Sequence, residues 1–448
     1  MNDSEDRPVM EQARSAGDDW GVSRRAMLVA VTLAAAGGRA RAAEEAAAAV
    51  KAPPSERVRI AVMGVNGRGG ALAKGFAAHP QGEVVTLCDV DSRVAGPLAD
   101  ALGKTGRRPR VEGDIRRVLD DREVDAIVVA TPNHWHAPAT ILACRAGKHV
   151  YVEKPCSHTP EEGELAVAAA RKAGRVVTMG TQRRSWPGIR TAIDRVHAGA
   201  IGEVRLARTW YAARRGPLAR ATPTAPPAWL DWTLWQGPAP ERPFREGIVH
   251  YHWHWHWHWG DGELGNNGIH ALDLARWALR VDFPTHVTAG GGRLYHDDGQ
   301  ETPDTMGVTF TFPGGRMISW EGLSCVPVGL DGSGFGAWLV GTEGSVILGG
   351  GDGWKRLDPR GRVVEQGPAD GGDAAHLADF LTCVTAGGTP HADIAEAHKS
   401  TLLCHLGNIA WRTGGGLATR AEDGHILDEG VARAHWGREY RDGWDIRG

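Results

Sequence analysis

Three polar clusters in this 448-residue chain follow directly on short apolar runs. The first is Gly64-Val65-Asn66-Gly67-Arg68-Gly69-Gly70, after Val58-Arg59-Ile60-Ala61-Val62-Met63; the second is TPNHWH at 131–136; the third is Glu153-Lys154-Pro155. A glycine-rich turn between a strand and a helix lets backbone amides approach a pyrophosphate at the positive end of the helix. An acid closing the next strand binds the ribose hydroxyls and repels a 2′-phosphate, which favours NAD over NADP. Asp89, after Val84-Val85-Thr86-Leu87-Cys88, stands in that place. The usual G-x-G-x-x-G carries Asn66 in its second glycine slot. Gly64, Asn66, Gly67, Arg68, Gly69 and Asp89 are therefore the first cofactor-binding candidates.

The elements that must position these clusters are legible from periodicity. Residues 126–130 and 150–152 are rich in β-branched and aromatic types and stop abruptly, as buried parallel strands do. Between them Ala137, Ile141, Leu142 and Cys144 recur at roughly helical spacing, and Gly147 stops the helix. Such a strand–helix–strand unit carries both polar tips to one carboxyl edge of a sheet, where open α/β sheets bind ligands. That edge places Thr131, Asn133, His136, Glu153 and Lys154 at the cofactor, with Lys154 beside a nicotinamide ring. Thr159 as N-cap, Pro160 at the first helical position, Glu162 completing a capping box and Gly174 at the end define the next helix. A strand at 176–179 then leads to Gly180-Thr181-Gln182, and Gln182 joins the cofactor set. The expected fold is an α/β Rossmann nucleotide-binding domain over 57–182, followed by an α+β domain with an open, mostly antiparallel sheet.

That second sheet is read from period-2 alternation: Val204, Leu206 and Trp210 in one run, Met306, Val308, Phe310 and Phe312 in another, with further runs at 316–322, 338–340 and 345–348. A long irregular stretch at 212–262, rich in Pro, Trp and Arg, reads as a substrate-binding excursion. Helices are expected at 376–386 and 393–412, and 413–448 forms a C-terminal extension.

Composition narrows the class. A net charge of -3 gives no nucleic-acid footprint. The 18 Trp against 5 Tyr and 7 Phe favour a carbohydrate ligand, because sugars stack on indole faces. Six cysteines without short paired spacing make neither a disulfide framework nor a zinc site. At the N-terminus, Ser23-Arg24-Arg25 precedes a short apolar run and Ala40-Arg41-Ala42, which describes a twin-arginine export signal over 1–42 and a linker over 43–56. Export by that route predicts a periplasmic or extracellular protein. No later segment has the ~18 consecutive apolar residues of a membrane helix.

AVMGVNGRGG, CDVD, TPNHWH, GKHVYVEKP and GNNGIHALD, in this order, resemble the Gfo/Idh/MocA oxidoreductases, relatives of glucose–fructose oxidoreductase and inositol dehydrogenase. The similarity runs from about Val58 onward and is strongest to the exported, Trp-rich branch. It implies a cis peptide before Pro155 and a substrate and oligomerisation domain over 183–412. It also implies a homo-oligomer, dimer or tetramer, joined through the second sheet. For catalysis it implies a Lys and a His at the reacting carbon, matched by Lys154 and His270. Three residues along a helix share a face, so Asp273 is expected to point with His270. The family acid four residues before the His is Asn266 here, and an amide cannot share a proton as a carboxylate does. The base role then goes to His270, with Lys154 as proton relay or carbonyl polariser.

Residues 250–259 read HYHWHWHWHW. An extended conformation would put the histidines on one face and the tryptophans on the other. One reading is a metal strip; the resemblance favours a sugar-stacking wall with no metal, built from Trp253, His254, Trp255 and Trp257, with Asn267 beside it. An exported enzyme has no free NAD pool, so the cofactor is expected to be tightly bound and restored within each cycle. The expected reaction is NAD-dependent oxidation at a secondary hydroxyl of a sugar, polyol or glycoside. Glycoside cleavage or epimerisation without net redox is the alternative, and a catalytically impaired sugar- and NAD-binding relative the second.

Overall fold

The computed structural model describes residues 57–447 apart from Asp352. The expected export signal and linker lie outside the described residues. Six parallel strands, β1 (Val58–Met63), β2 (Gly82–Cys88), β3 (Arg110–Glu112), β4 (Ala126–Val129), β5 (His149–Val152) and β6 (Val177–Met179), form one sheet in the order β3-β2-β1-β4-β5-β6. The order reverses at β1, between β2 and β4, which is the switch point where doubly wound sheets open a crevice. The helices of this half are α1 (Arg68–Ala78), α2 (Ala95–Gly103), α3 (Ile115–Leu119), α4 (Asn133–Arg145) and α5 (Pro160–Ala173).

Helix α5 shows how closely local chemistry sets its bounds. Thr159 Oγ1 accepts the Glu162 amide, Pro160 opens the helix, and Gly174 ends it in the left-handed region at φ 61°. Glu162 departs from the expected capping box, because its carboxylate accepts the His158 amide at 2.9 Å instead of reaching the N-cap residue.

After α6 (Pro187–His197) and β7 (Val204–Ala212), the chain makes a long excursion that contains α7 (Trp232–Gln236). It then enters α8 (Ile269–Leu279) and the strands β8 (His286–Gly292), β9 (Thr305–Phe312), β10 (Arg316–Leu323), β11 (Phe335–Gly341), β12 (Gly344–Gly349), β13 (Trp354–Leu357) and β14 (Val363–Gly367). Helices α9 (Ala374–Ala386) and α10 (Ile394–Arg412), strand β15 (Gly416–Ala418) and helix α11 (Glu429–His435) complete the chain. The second sheet is open and nine-stranded, in the order β14-β13-β12-β11-β7-β10-β9-β8-β15. Every pairing in it is antiparallel except β7 with β10. The excursion carries β7's successor to a new place, so β10 joins β7 in the same direction.

Two features bind the halves into one molecule. Helix α9 packs on the Rossmann sheet, where Phe380 meets Phe76 and Tyr151 edge-on at 6.0 Å from each. Helix α10 lies with α8 in the main core, which contains Leu272, Leu403 and Leu406. All six cysteines are free, and Cys88 and Cys144 are buried. Among the described residues no helix is long and apolar enough to cross a membrane.

Candidate active site

The polar tips converge. Residues from the β1–α1 turn (Gly64, Asn66, Gly67, Arg68), the end of β2 (Asp89, Val90), the α3 start (Gly113, Asp114, Ile115), the β4–α4 turn (Thr131, Asn133, Trp135, His136) and the β5 tip (Glu153, Lys154) line one cleft of about 560 Å³. Gln182 and Asn266 complete its inner end, and Leu234, Trp235, His250, Tyr251, Trp253 and His254 line it from the excursion.

Backbone constraints shape the glycine turn. Gly64 has φ +78°, and a Cβ there would stand 2.7 Å from the Ala130 carbonyl oxygen, so only glycine brings β1 this close to β4. Gly69 does not line the cleft as expected. A Cβ on it would meet the Gly64 oxygen at 1.7 Å, which makes it the residue that lets α1 pack against the turn. Asp89 accepts the Val65 amide at 2.7 Å and the Asp91 amide at 2.9 Å. Burial raises its pKa from the ordinary carboxylate value, while these two amides pull it back.

Lys154 follows β5 and precedes a cis peptide to Pro155. Its Nζ donates to the Asn266 backbone oxygen at 2.8 Å and to Asn266 Oδ1 at 3.1 Å. Burial lowers the lysine's pKa; Glu153 and Glu263 oppose the shift, and Arg68 and Arg215 add to it. Asn266 lies in a single π-helical turn, Leu264–Gly268, that leads into α8. Such turns recur at functional sites because they displace a side chain from the regular helical face. His136 is fixed between the Pro155 oxygen at 2.6 Å and the Thr131 oxygen at 2.8 Å, joining two cleft tips. Asn133 Nδ2 donates to Asp261 Oδ2 at 2.7 Å.

Residues 58–181 match the family model described as the oxidoreductase family with an NAD-binding Rossmann fold, GFO_IDH_MocA. Residues 232–347 match the GFO/IDH/MocA C-terminal domain. The chain belongs to the Gfo/Idh/MocA oxidoreductases. It is 26% identical to scyllo-inositol 2-dehydrogenase (NAD(+)) of Bacillus subtilis over 299 residues, 65% of this chain and 74% of that one. It is 31% identical to a glycosyl hydrolase family 109 protein of Saccharopolyspora erythraea over 155 residues, and spans only 34% of that protein. In fold it matches the crystal structure of aldose-aldose oxidoreductase from Caulobacter crescentus with a TM-score of 0.64 and 22% identity, covering 81% of this chain and 99% of that one.

The Gfo/Idh/MocA cleft fits NAD on its own observations. Thr131 Oγ1 and Gln182 Oε1 are buried without a partner, and both residues line the cleft. The start of α1 has no side-chain cap at Gly67, which leaves amides for phosphate oxygens. Asp114 lines the cleft along with Asp89, but its carboxylate caps α3 at the Arg116 amide and pairs with the Arg116 guanidinium.

Several expected site residues stand elsewhere in this family member. Arg68 lines the cleft, but its guanidinium bridges Glu153 at 2.7 Å and Asp373 at 2.6 and 2.9 Å, so its charge is already paired and raised in pKa. Asp273 is 1% exposed; both its oxygens accept from Arg184 at 2.8 Å and one also accepts from Ser400. It points into the core because α8 buries that side against α10. His270 is half-buried and lies outside the cleft wall, one turn beyond Asn266. Burial, followed by Lys154, Arg183 and Arg68, holds its imidazole neutral, and Nδ1 has no partner. Asn267 turns back to donate to Glu263, whose carboxylate also binds Arg215.

The His/Trp repeat is not extended: His252–Trp255 is a 3₁₀ turn, so the alternation does not sort into two faces. Trp253 and His254 line the cleft and stack on one another with centroids 3.6 Å apart. Burial pushes the His254 pKa down to about 3. Trp255 lies under the Arg215 guanidinium, and Trp257 stacks on Trp411. Neither reaches the cleft. Among the described residues no group of three or more His, Cys, Asp or Glu is placed to hold a metal.

The excursion supplies what sequence reasoning missed. Its segment 229–259 has its own apolar cluster, including Leu230, Trp232, Trp235, Phe244 and Trp259. It docks on the loop after β2, where Asp231 N donates to the Val90 oxygen and Asp91 faces His250 Nε2 at 2.9 Å. The density of Trp marked the segment; nothing in the sequence said that it roofs the cofactor cleft.

Proposed function

We propose that this chain oxidises a secondary hydroxyl of a sugar, polyol or glycoside, with NAD kept in the cleft and returned to its starting state within each cycle. The observation that carries this reading is the Lys154–Asn266 contact, where the dinucleotide cleft meets the stacked Trp253 and His254. NAD supplies a hydride acceptor at that end when bound. Trp253 and His254 line the cleft at that end, where the aromatic rings would border a sugar. Lys154, which lines the cleft, takes the hydroxyl proton as relay, and His270, kept neutral and unpartnered at Nδ1 beyond the cleft wall, is the base to which the proton passes. The Asn266 oxygens hold the lysine in place without bringing a charge of their own.

The roof over 229–259 supports a retained cofactor, since its Leu234, Trp235, His250, Tyr251 and Trp253 line the same cleft as the glycine turn. Within this proposal the chain is exported by the twin-arginine route. It assembles as a homo-oligomer through the outer face of the second sheet, where Met317 is exposed.

Similarity to the Saccharopolyspora glycosyl hydrolase favours a second reading, in which transient oxidation permits glycoside cleavage with no net redox. The test is to purify the protein, identify its nucleotide and follow reduced-nicotinamide absorbance and products over a panel of sugars and glycosides. Product from a single glycoside without net reduction selects the second reading; bound NAD that no sugar reduces selects an impaired relative. Lys154→Ala should lower the rate of reduction by about 10²–10⁴-fold, the usual worth of a positioned proton-transfer group, with NAD still bound. Loss of NAD binding instead would remove the lysine from that role.

A further inference from the structure

Residues 436–446 supply no group to the chemistry, yet they tie together separate pieces of the cleft wall. On the Rossmann side, Arg438 donates to Glu162 Oε1 at 2.7 Å and to the His134 oxygen at 2.6 Å. Tyr440 donates to the same Glu162 oxygen at 3.1 Å. The Trp436 oxygen accepts the Glu161 amide at the start of α5, and Arg145, at the end of α4, donates to the Ile446 oxygen. Trp444 meets Trp135 edge-on, with centroids 5.0 Å apart and planes at 87°.

On the excursion side, the Arg441 amide donates to the Pro238 oxygen at 3.1 Å, and its guanidinium donates to the Thr233 oxygen at 3.0 Å. The tail therefore straddles the seam between α4 and the roof. The seam's own ties all start from His134 and Trp135: Trp135 Nε1 donates to the Trp235 oxygen, His134 Nε2 lies 3.0 Å from the same atom, the His134 amide donates to the Trp259 oxygen at 3.3 Å, and the His134 ring lies 5.3 Å from that of Trp235. Its inner surface is the cleft itself, lined there by Trp135, Leu234 and Trp235.

We propose that residues 436–446 form a clasp that holds the roof against α4 and keeps the dinucleotide from leaving between turnovers. Trp444 and Arg441 are positioning residues acting through Trp135 and through the backbone at 233–238. This rests on the reading that NAD is retained from cycle to cycle.

The test uses the full chain as purified with its nucleotide. Exchange of bound NAD for excess thionicotinamide adenine dinucleotide is followed by the analogue's absorbance, with a melting curve as the check on folding. Trp444→Ala and Arg441→Ala should each exchange at least about tenfold faster than the parent, the factor that loss of an aromatic pair or a short hydrogen-bond set represents. Trp444→Phe should restore slow exchange, and kcat of the loaded enzyme should not move. If the parent retains NAD and both folded variants retain it equally, the clasp is overturned and the retained cofactor stands. If the parent itself exchanges as fast as the variants, the retained-cofactor reading fails and the clasp falls with it. Should Trp444→Ala not fold, Arg441→Ala decides alone.

Discussion

Asn266→Asp places a carboxylate against Lys154 without moving either residue, since Asn266 Oδ1 already accepts from Nζ at 3.1 Å. Two unit charges at that separation attract by about 5 kcal/mol at an effective dielectric near 20. Burying the new carboxylate at a position only 6% exposed offsets several kcal/mol of this. The remainder, roughly 1–4 kcal/mol, raises the lysine's pKa by about 1–3 units. In the parent, burial holds that pKa below its ordinary value. His270 is neutral well below its own usual value, so the alkaline side of the pH profile reports Lys154. Oxidation requires the unprotonated lysine to pass the proton on, and its rate therefore rises with pH through the lysine's pKa. The variant should move that rising limb to higher pH by the same 1–3 units or so. In the reverse reduction the protonated form is needed, and the falling limb should move up by the same amount. The measurement is single-turnover reduction of bound cofactor against pH. A limb that stays in place, or moves toward acid, would refute the assignment of Lys154 as the proton relay.

Asp273→Ala should cost about 3–5 kcal/mol in denaturant unfolding, because it strands the buried Arg184, while kcat of the folded protein stays unchanged; a fall in kcat at unaltered stability would return Asp273 to the chemistry. Burial, helped by His405 and neighbouring cations, pushes His398 down to about 3, far below the value of the unfolded chain. Between those pKa values the unfolded state binds the extra proton, so stability is lost on acidification below about pH 6.5, at up to about 1.4 kcal/mol per pH unit. His398→Gln should flatten the measured pH dependence of unfolding by close to one proton, and an unchanged slope would show that His398 is not the group responsible. Asp89→Asn should narrow the preference for NAD over NADP by about tenfold in direct binding, a change of ~1.4 kcal/mol; an unaltered ratio would mean that Asp89 serves only the Val65 and Asp91 amides.

How much of this was legible in the sequence depends on how local the signal is. Strand β1, the glycine turn and Asp89 sit in consecutive elements, and periodicity with turn chemistry locates all three. The same holds for α5, whose cap and first proline are adjacent and whose terminal glycine closes the same helical run. Spacing on a helix failed for Asp273, because three residues set an angle but not which side the neighbouring α10 covers. The His/Trp repeat failed for a related reason: alternation implies two faces only in an extended chain, and the aromatic stacking of Trp253 on His254 accompanies a 3₁₀ turn instead. The pairing of Arg68 with Asp373 joins positions far apart in sequence, and no local pattern encodes it. The roof and the C-terminal ties were illegible on the same ground, since both are made of contacts between remote segments.

The packing of α9 under the Rossmann sheet has a consequence for the order in which the chain can fold. Phe76 and Tyr151 belong to the first strands and helices made, but Leu377, Phe380 and Leu381, which cover them, come from beyond eight of the second sheet's nine strands. Contacts between such distant segments form late, because the intervening loop must close first. Until then one face of the cofactor half leaves an aromatic surface open to water. A fragment ending near residue 182 would therefore be an incomplete domain, prone to self-association. The nucleotide-binding half becomes a finished object only when nearly the entire polypeptide has been assembled around it.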